Sequence, residues 1–170
     1  MYIVLDLEGE AGEEVMSLRR RFSYDYLGAL PVEITVAGSG GVGSPIERGD
    51  PGRLFEALDA VAKATAPIRG RFGKPYRFPG TDVFVLQLED PQPVLSLHER
   101  IKDCGVAFEP SPLEFFPHCT LTQKPEPTED EVQALLAAEI ESEFSATMLS
   151  VYEMEMFPLV KLRYRGYLTG

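Results

Sequence analysis

Cysteine is nearly missing from this 170-residue chain: Cys104 and Cys119 are the two present, too few for a disulfide framework. Only two histidines, His98 and His118, accompany them, and no Cys/His cluster at ligand spacing suggests a zinc site. Positive charge is also short. Sixteen Lys and Arg stand against 27 Asp and Glu, a formal net charge of −11 that disfavours long nucleic acid and anionic membranes as partners. No apolar run is long enough to span a bilayer, and no basic segment with a signal-length apolar stretch precedes Tyr2-Ile3-Val4-Leu5-Asp6-Leu7. With 44% hydrophobic and 25% charged residues, the expectation is a soluble, cytoplasmic, monomeric globular protein without a membrane partner.

What is present is a clear succession of periodic segments. A strand at the start is followed by Glu10 to Phe22, where Val15, Leu18 and Phe22 recur at helical spacing, with acids early and Arg19, Arg20 and Arg21 late. Residues 32–37 read as a strand, and Gly38 to Gly52 as a loop. Leu54, Phe55, Leu58, Val61 and Ala62 then define a helix. Extended segments are predicted at about 68–78 and 82–88, and Pro91 and Pro93 introduce a helix through Val94, Leu97, Ile101 and Cys104, stopped by Gly105. After a strand around His118, Thr128-Glu129-Asp130-Glu131 reads as a capping box, and two strands at about 144–157 and 159–168 close the chain. The order suggests a β-α-β-α-β-β unit used twice, with its second half abbreviated.

Two strand phrases carry the chemistry. Phe115-Phe116-Pro117-His118-Cys119-Thr120-Leu121 has an echo 118 − 33 = 85 positions upstream, Pro31-Val32-Glu33-Ile34-Thr35-Val36. Side chains two apart on a strand share a face, so His118 pairs with Thr120 and Glu33 with Thr35, while Cys119 and Ile34 turn inward. Each strand thus offers one proton-transfer group and one hydroxyl, an arrangement suited to a phosphate held between two halves of a domain.

These phrases, a helix containing Leu97-His98 between them and the hydrophobic closing strands resemble the two-histidine phosphoesterases, the superfamily of 2′,5′ RNA ligase-like proteins and cyclic nucleotide phosphodiesterases. The resemblance covers nearly the whole chain. It implies an α+β fold, a single bilobal domain over residues 1–170 in which pseudo-two-fold-related antiparallel sheets with flanking helices enclose a central cleft. It also implies two His-x-Thr pairs acting on a 2′,3′-cyclic phosphate or a 2′,5′-phosphodiester of a nucleotide or RNA end, the histidines as general base and acid and the threonines on the phosphate, with no metal and no cofactor. His118 and Thr120 match the second pair, and Thr35 matches the hydroxyl of the first. Glu33 stands where the family pattern has histidine.

That departure has physical content. A carboxyl ionises near 4.3, against about 6.5 for imidazole. A carboxylate about 4 Å from a phosphate repels it by roughly 1 kcal/mol in water and roughly 4 kcal/mol at an effective dielectric of 20. Glu33 therefore works as a general acid if an apolar cleft raises its pKa, serves as structure if it pairs with an arginine, or orients water for another substrate. The competing reading is a cleft that binds a nucleotide or phosphorylated ligand without turnover.

Three further features carry expectations. Gly38-Ser39-Gly40-Gly41-Val42-Gly43 satisfies G-x-G-x-x-G, but the prolines and glycines that follow predict a cleft-rim loop rather than a dinucleotide site. His98 is expected on a helix surface or flank. Arg69, Arg71, Lys74 and Arg77, and separately Lys161, Arg163 and Arg165, form either solvated strand faces or a basic wall toward phosphate.

Overall fold

The computed structural model describes residues 1–22, 27–46, 51–156 and 159–170. Its elements follow the order β1 (Tyr2–Glu8), α1 (Glu10–Phe22), β2 (Glu33–Ala37), β3 (Val42–Pro45), α2 (Pro51–Lys63), β4 (Ile68–Gly70), β5 (Phe72–Arg77), β6 (Val83–Leu88), α3 (Gln92–Lys102), β7 (Phe108–Pro110), β8 (His118–Gln123), α4 (Glu129–Leu136), β9 (Phe144–Met156) and β10 (Leu159–Tyr167). The larger sheet has the order β10-β9-β1-β2, with β4 added to β9, and the smaller has the order β5-β6-β8. Every pairing is antiparallel. This is the α+β, bilobal architecture expected, and β2 and β8 occupy facing edges of the two sheets.

Local chemistry accounts for the elements. Glu10 and Glu13 in the first turn of α1 and Arg19, Arg20 and Arg21 in its last complement the helix dipole. At α4 the Thr128 hydroxyl accepts from the Glu131 N–H at 3.3 Å while the Glu131 carboxylate accepts from the Thr128 N–H at 2.8 Å, so the capping box forms in both directions. In β2, Ile34 and Val36 are fully buried between half-buried Glu33 and Thr35. Burying each of those two aliphatic chains is worth roughly 1.5–3 kcal/mol, enough to fix which face Glu33 presents. β8 follows the same rule, with Cys119 and Leu121 inward and His118 and Thr120 facing out.

Several details depart from the sequence-based reading. The extended stretch 68–78 is two strands, because the chain leaves the larger sheet at Gly70 and enters the smaller one at Phe72. The stretch Gly38–Gly52 is not all loop: Val42–Pro45 pairs with Phe108–Pro110, a strand too short to show period-two patterning. No helix opens directly after the glycines, where β3 runs instead; residues 47–50 lie outside the described part. Gly41 has φ +72°, and a Cβ there would run into the His98 ring.

His98 itself is no surface residue. It is 3% exposed, its Nδ1–H donates to the Val36 carbonyl at 2.7 Å, and its ring stacks on Phe115 with centroids 3.8 Å apart. α3 packs against β2, and this turns the polar position inward, where one backbone carbonyl satisfies it. His98 thereby ties β2 to the segment that leads into β8.

Candidate active site

Glu33, Thr35, His118 and Thr120 line one cavity of about 700 Å³. Strand alternation puts each pair on the cavity face, and the contact of β2 with β8 brings the two pairs together. Tyr2, Ser39, Gly40, Phe78, Phe116 and Met154 contribute to the walls and rim.

The residue that seals the seam is Arg19, on α1. Only 1% exposed, its guanidinium donates to the Thr120 carbonyl from Nε at 3.0 Å and from Nη2 at 2.8 Å, and to the Pro31 carbonyl from Nη1 at 3.0 Å. One planar fork thus joins β8 to the residues leading into β2. The sequence reading placed Arg19 with the helix-end charges and missed this role. Its signal was present: Ala11, Val15 and Arg19 fall at successive spacings of four, on the buried stripe of α1.

Glu33 sits in the field of this cation. Its carboxylate accepts from the Thr35 hydroxyl at 3.0 Å. Loss of surrounding water pushes its pKa from 4.5 up to about 7, the nearby Arg19 and the Thr35 hydrogen bond pull it down, and Asp6 raises it. Asp6 lies directly across the β1–β2 ladder from Glu33. It is itself buried and held by the Ser150 hydroxyl at 2.5 Å, the Tyr152 hydroxyl at 3.1 Å and Arg165 Nη2 at 3.2 Å.

His118 is prepared differently. The Phe116 carbonyl lies 2.6 Å from Nδ1 and can only accept, so Nδ1 carries the hydrogen and the neutral ring keeps its lone pair on Nε2. Burial lowers its pKa and the Phe116 hydrogen bond partly opposes that. Phe78 meets the imidazole edge-on at 5.2 Å and Phe116 lies beside it at 5.9 Å.

The basic wall does not form at this site. Arg71 pairs with Glu143, Arg77 with Asp82, Lys161 with Glu155, Arg163 with Glu153 and Arg165 with Asp6. Among the described residues, Arg19 is the only Lys or Arg lining the cavity, beside two acids, Glu33 and Glu114. None of these five lines the cavity, and each is met by a carboxylate. No group of three or more His, Cys, Asp or Glu side chains among the described residues is arranged to hold a metal ion. No helix among them is long and apolar enough to cross a membrane.

A family model described as the 2′-5′ RNA ligase superfamily matches residues 7–155. The chain belongs to this superfamily. Its fold agrees: the crystal structure of TT0787 from Thermus thermophilus superposes with a TM-score of 0.72 at 18% identity over 99% of this chain and 97% of that one. E. coli LigT complexed with 3′-AMP gives a TM-score of 0.62 at 15% identity over 99% and 96%. A crystal structure described as a phosphoesterase gives 0.66 at 14% over 99% and 97%. No curated protein matches by sequence. At these identities the structural neighbours establish the fold.

The raised Glu33 pKa is a stability statement. An unfolded Glu33 ionises above its ordinary 4.5, whereas the folded one resists up to about 7, so stability falls as pH rises through that window. Above it the penalty is about 3 kcal/mol. Glu33→Gln is therefore expected to gain stability over wild type between pH 5 and 8, and to gain little at pH 4.5. Thermal melts across that range check this; a gap that does not change with pH would contradict it.

Proposed function

We propose that the cleft is a phosphoesterase site that hydrolyses a 2′,3′-cyclic phosphate or a 2′,5′-phosphodiester of a nucleotide or RNA end by acid–base chemistry. In this reading His118 Nε2 takes a proton from water as the water oxygen attacks phosphorus. The P–O ester bond opposite breaks, and its oxygen takes the proton carried by the Glu33 carboxyl. Thr120 and Thr35 hold the non-bridging oxygens; the Thr35 hydroxyl, hydrogen-bonded to ionised Glu33, turns to the phosphate when Glu33 is protonated.

One observation carries this reading: a base and an acid with suitable proton states line the same cavity. His118 is neutral above a pKa lying below 6.5, and Glu33 is protonated below about 7, so a pH interval exists in which both hold the form the reaction needs. A cleft with Arg19 buried behind the hydroxyls also offers positive potential without an exposed cation. Membership of the superfamily supports the reaction class, and E. coli LigT has been crystallised with 3′-AMP and with ATP, which supports a nucleotide as ligand. Cys119, packed as a buried small hydrophobe, agrees with a reducing cytoplasmic setting.

The test is turnover of 2′,3′-cyclic nucleotides and of a 2′,5′-linked dinucleotide by the purified protein near pH 7, followed by chromatography of the products. Release of a phosphomonoester is expected. Failure with all of them would remove the phosphoesterase reading.

A further inference from the structure

We infer that Glu33 is a charge-selecting residue: by standing in the cleft as a carboxyl it admits singly charged phosphodiesters and expels the doubly charged phosphomonoester that their hydrolysis makes. The inference rests on the phosphoesterase reading and adds to it a direction, hydrolysis with product release rather than product retention or ligation.

Several charged and polar groups face the cavity. Glu33 meets Arg19 from α1, Asp6 and Tyr2 from β1, Thr35 on its own strand, and Cys119 from β8, with His118 and Glu114 on the same cavity wall. Asp6 is compensated by Arg165, Ser150 and Tyr152. That leaves one buried cation, Arg19, against Glu33 and Glu114 among the described lining residues. Arg19 is also committed to four backbone carbonyls, those of Thr120, Pro31, Leu27 and Leu30, which fixes the guanidinium beneath the cavity floor instead of letting it follow a ligand. A phosphate with one negative charge meets no added repulsion from Glu33 when Glu33 is protonated. A phosphate with two meets that repulsion once Glu33 is ionised.

The reaction changes the charge both of Glu33 and of the phosphate. One P–O bond forms to water and one P–O ester bond breaks; the water proton goes to His118, and the Glu33 proton goes to the leaving oxygen. The diester enters with one negative charge, and the monoester, whose second ionisation lies near pH 6, leaves with close to two at neutral pH. Glu33 has meanwhile become a carboxylate and His118 an imidazolium, which returns its proton to solvent above its lowered pKa. Once the imidazolium and the new P–OH group have released their protons to solvent, the Glu33 carboxylate faces a doubly charged monoester, with no Lys or Arg besides the committed Arg19 among the described lining residues to offset the repulsion. A histidine in place of Glu33 would be neutral or positive at that moment and would hold the product, so this one position sets the preference.

Binding of adenosine 2′-monophosphate and 3′-monophosphate, measured by calorimetry at pH 5.5 and pH 8, tests it with wild type, Glu33→Gln and Glu33→His. Wild type is expected to bind the monoester at least ~10-fold more weakly at pH 8 than at pH 5.5, a change of about one charge pair near the dielectric of a protein surface. Glu33→Gln should shrink that drop, leaving only the part due to His118 and the phosphate itself, and Glu33→His should bind more tightly than wild type at pH 8. Equal pH dependence in wild type and Glu33→Gln would overturn the inference while leaving turnover intact. No monoester binding by any of the three proteins, together with no turnover, would overturn the phosphoesterase reading and the inference with it. If Glu33→Gln does not fold, Glu33→His carries the comparison alone.

Discussion

Alanine at His118 is expected to lower turnover of a 2′,3′-cyclic nucleotide by ~10²–10⁴-fold, the range for loss of a positioned proton-transfer group. The fold should survive. The ring is half-buried, its one hydrogen bond goes to Phe116 two residues away, and its packing partners Phe78 and Phe116 also contact each other. The melting temperature should therefore stay close to that of wild type, which separates lost chemistry from lost structure. Glu33→Gln should produce a loss of similar size, because glutamine keeps the shape and the Thr35 contact but has no proton to give. Steady-state rates together with melts of both variants check this. Equal, negligible rates in wild type and both variants, with nucleotide binding retained, would instead describe a cleft that holds its ligand without turnover.

The largest stability effect belongs to Arg19. Arg19→Leu is expected to cost about 3–5 kcal/mol, as removal of one partner from a buried charge network does. The Thr120 and Pro31 carbonyls, both part-buried, lose their donors, and the joint between β2 and β8 opens. At this chain length that corresponds to a fall of roughly 10 °C in melting temperature. Arg19→Lys should recover part of it, since an ammonium keeps the charge but cannot span both carbonyls with a planar fork. A loss below about 1 kcal/mol by urea denaturation would show that the seam is held by apolar packing alone.

How far the sequence reaches can be judged residue by residue. Period-two alternation put His118 and Thr120 on one face and Glu33 and Thr35 on another, and all four line one cavity. Helix α1 agrees with its predicted bounds, because charge and apolar spacing there point the same way. The strands β3 and β7 were hidden, since each is short and one is built largely from glycine, serine and proline, where turn chemistry and strand pairing look alike. His98 was misplaced for a different reason. A lone polar side chain flanked by Glu99 and Arg100 reads as surface, and only the packing of α3 on β2 shows that it points to the Val36 carbonyl.

Arg19 and Asp6 mark the limit most clearly. Their burial depends on partners more than a hundred residues away, Thr120 for one and Ser150, Tyr152 and Arg165 for the other. Composition and periodicity report an arginine at a helix end and an aspartate in a strand; neither reports what lies opposite. The raised pKa of Glu33 depends on the same long-range contacts, which the sequence alone does not report.

The measurement that bears most directly on this account is the pH dependence of kcat/KM for a 2′,3′-cyclic nucleotide. With His118 as base and Glu33 as acid, the rate should rise through a pKa below 6.5, fall through one at about 7, and lose the falling limb in Glu33→Gln. A rate that keeps climbing from pH 7 to 9 in the wild type, or a falling limb that persists in Glu33→Gln, would contradict it.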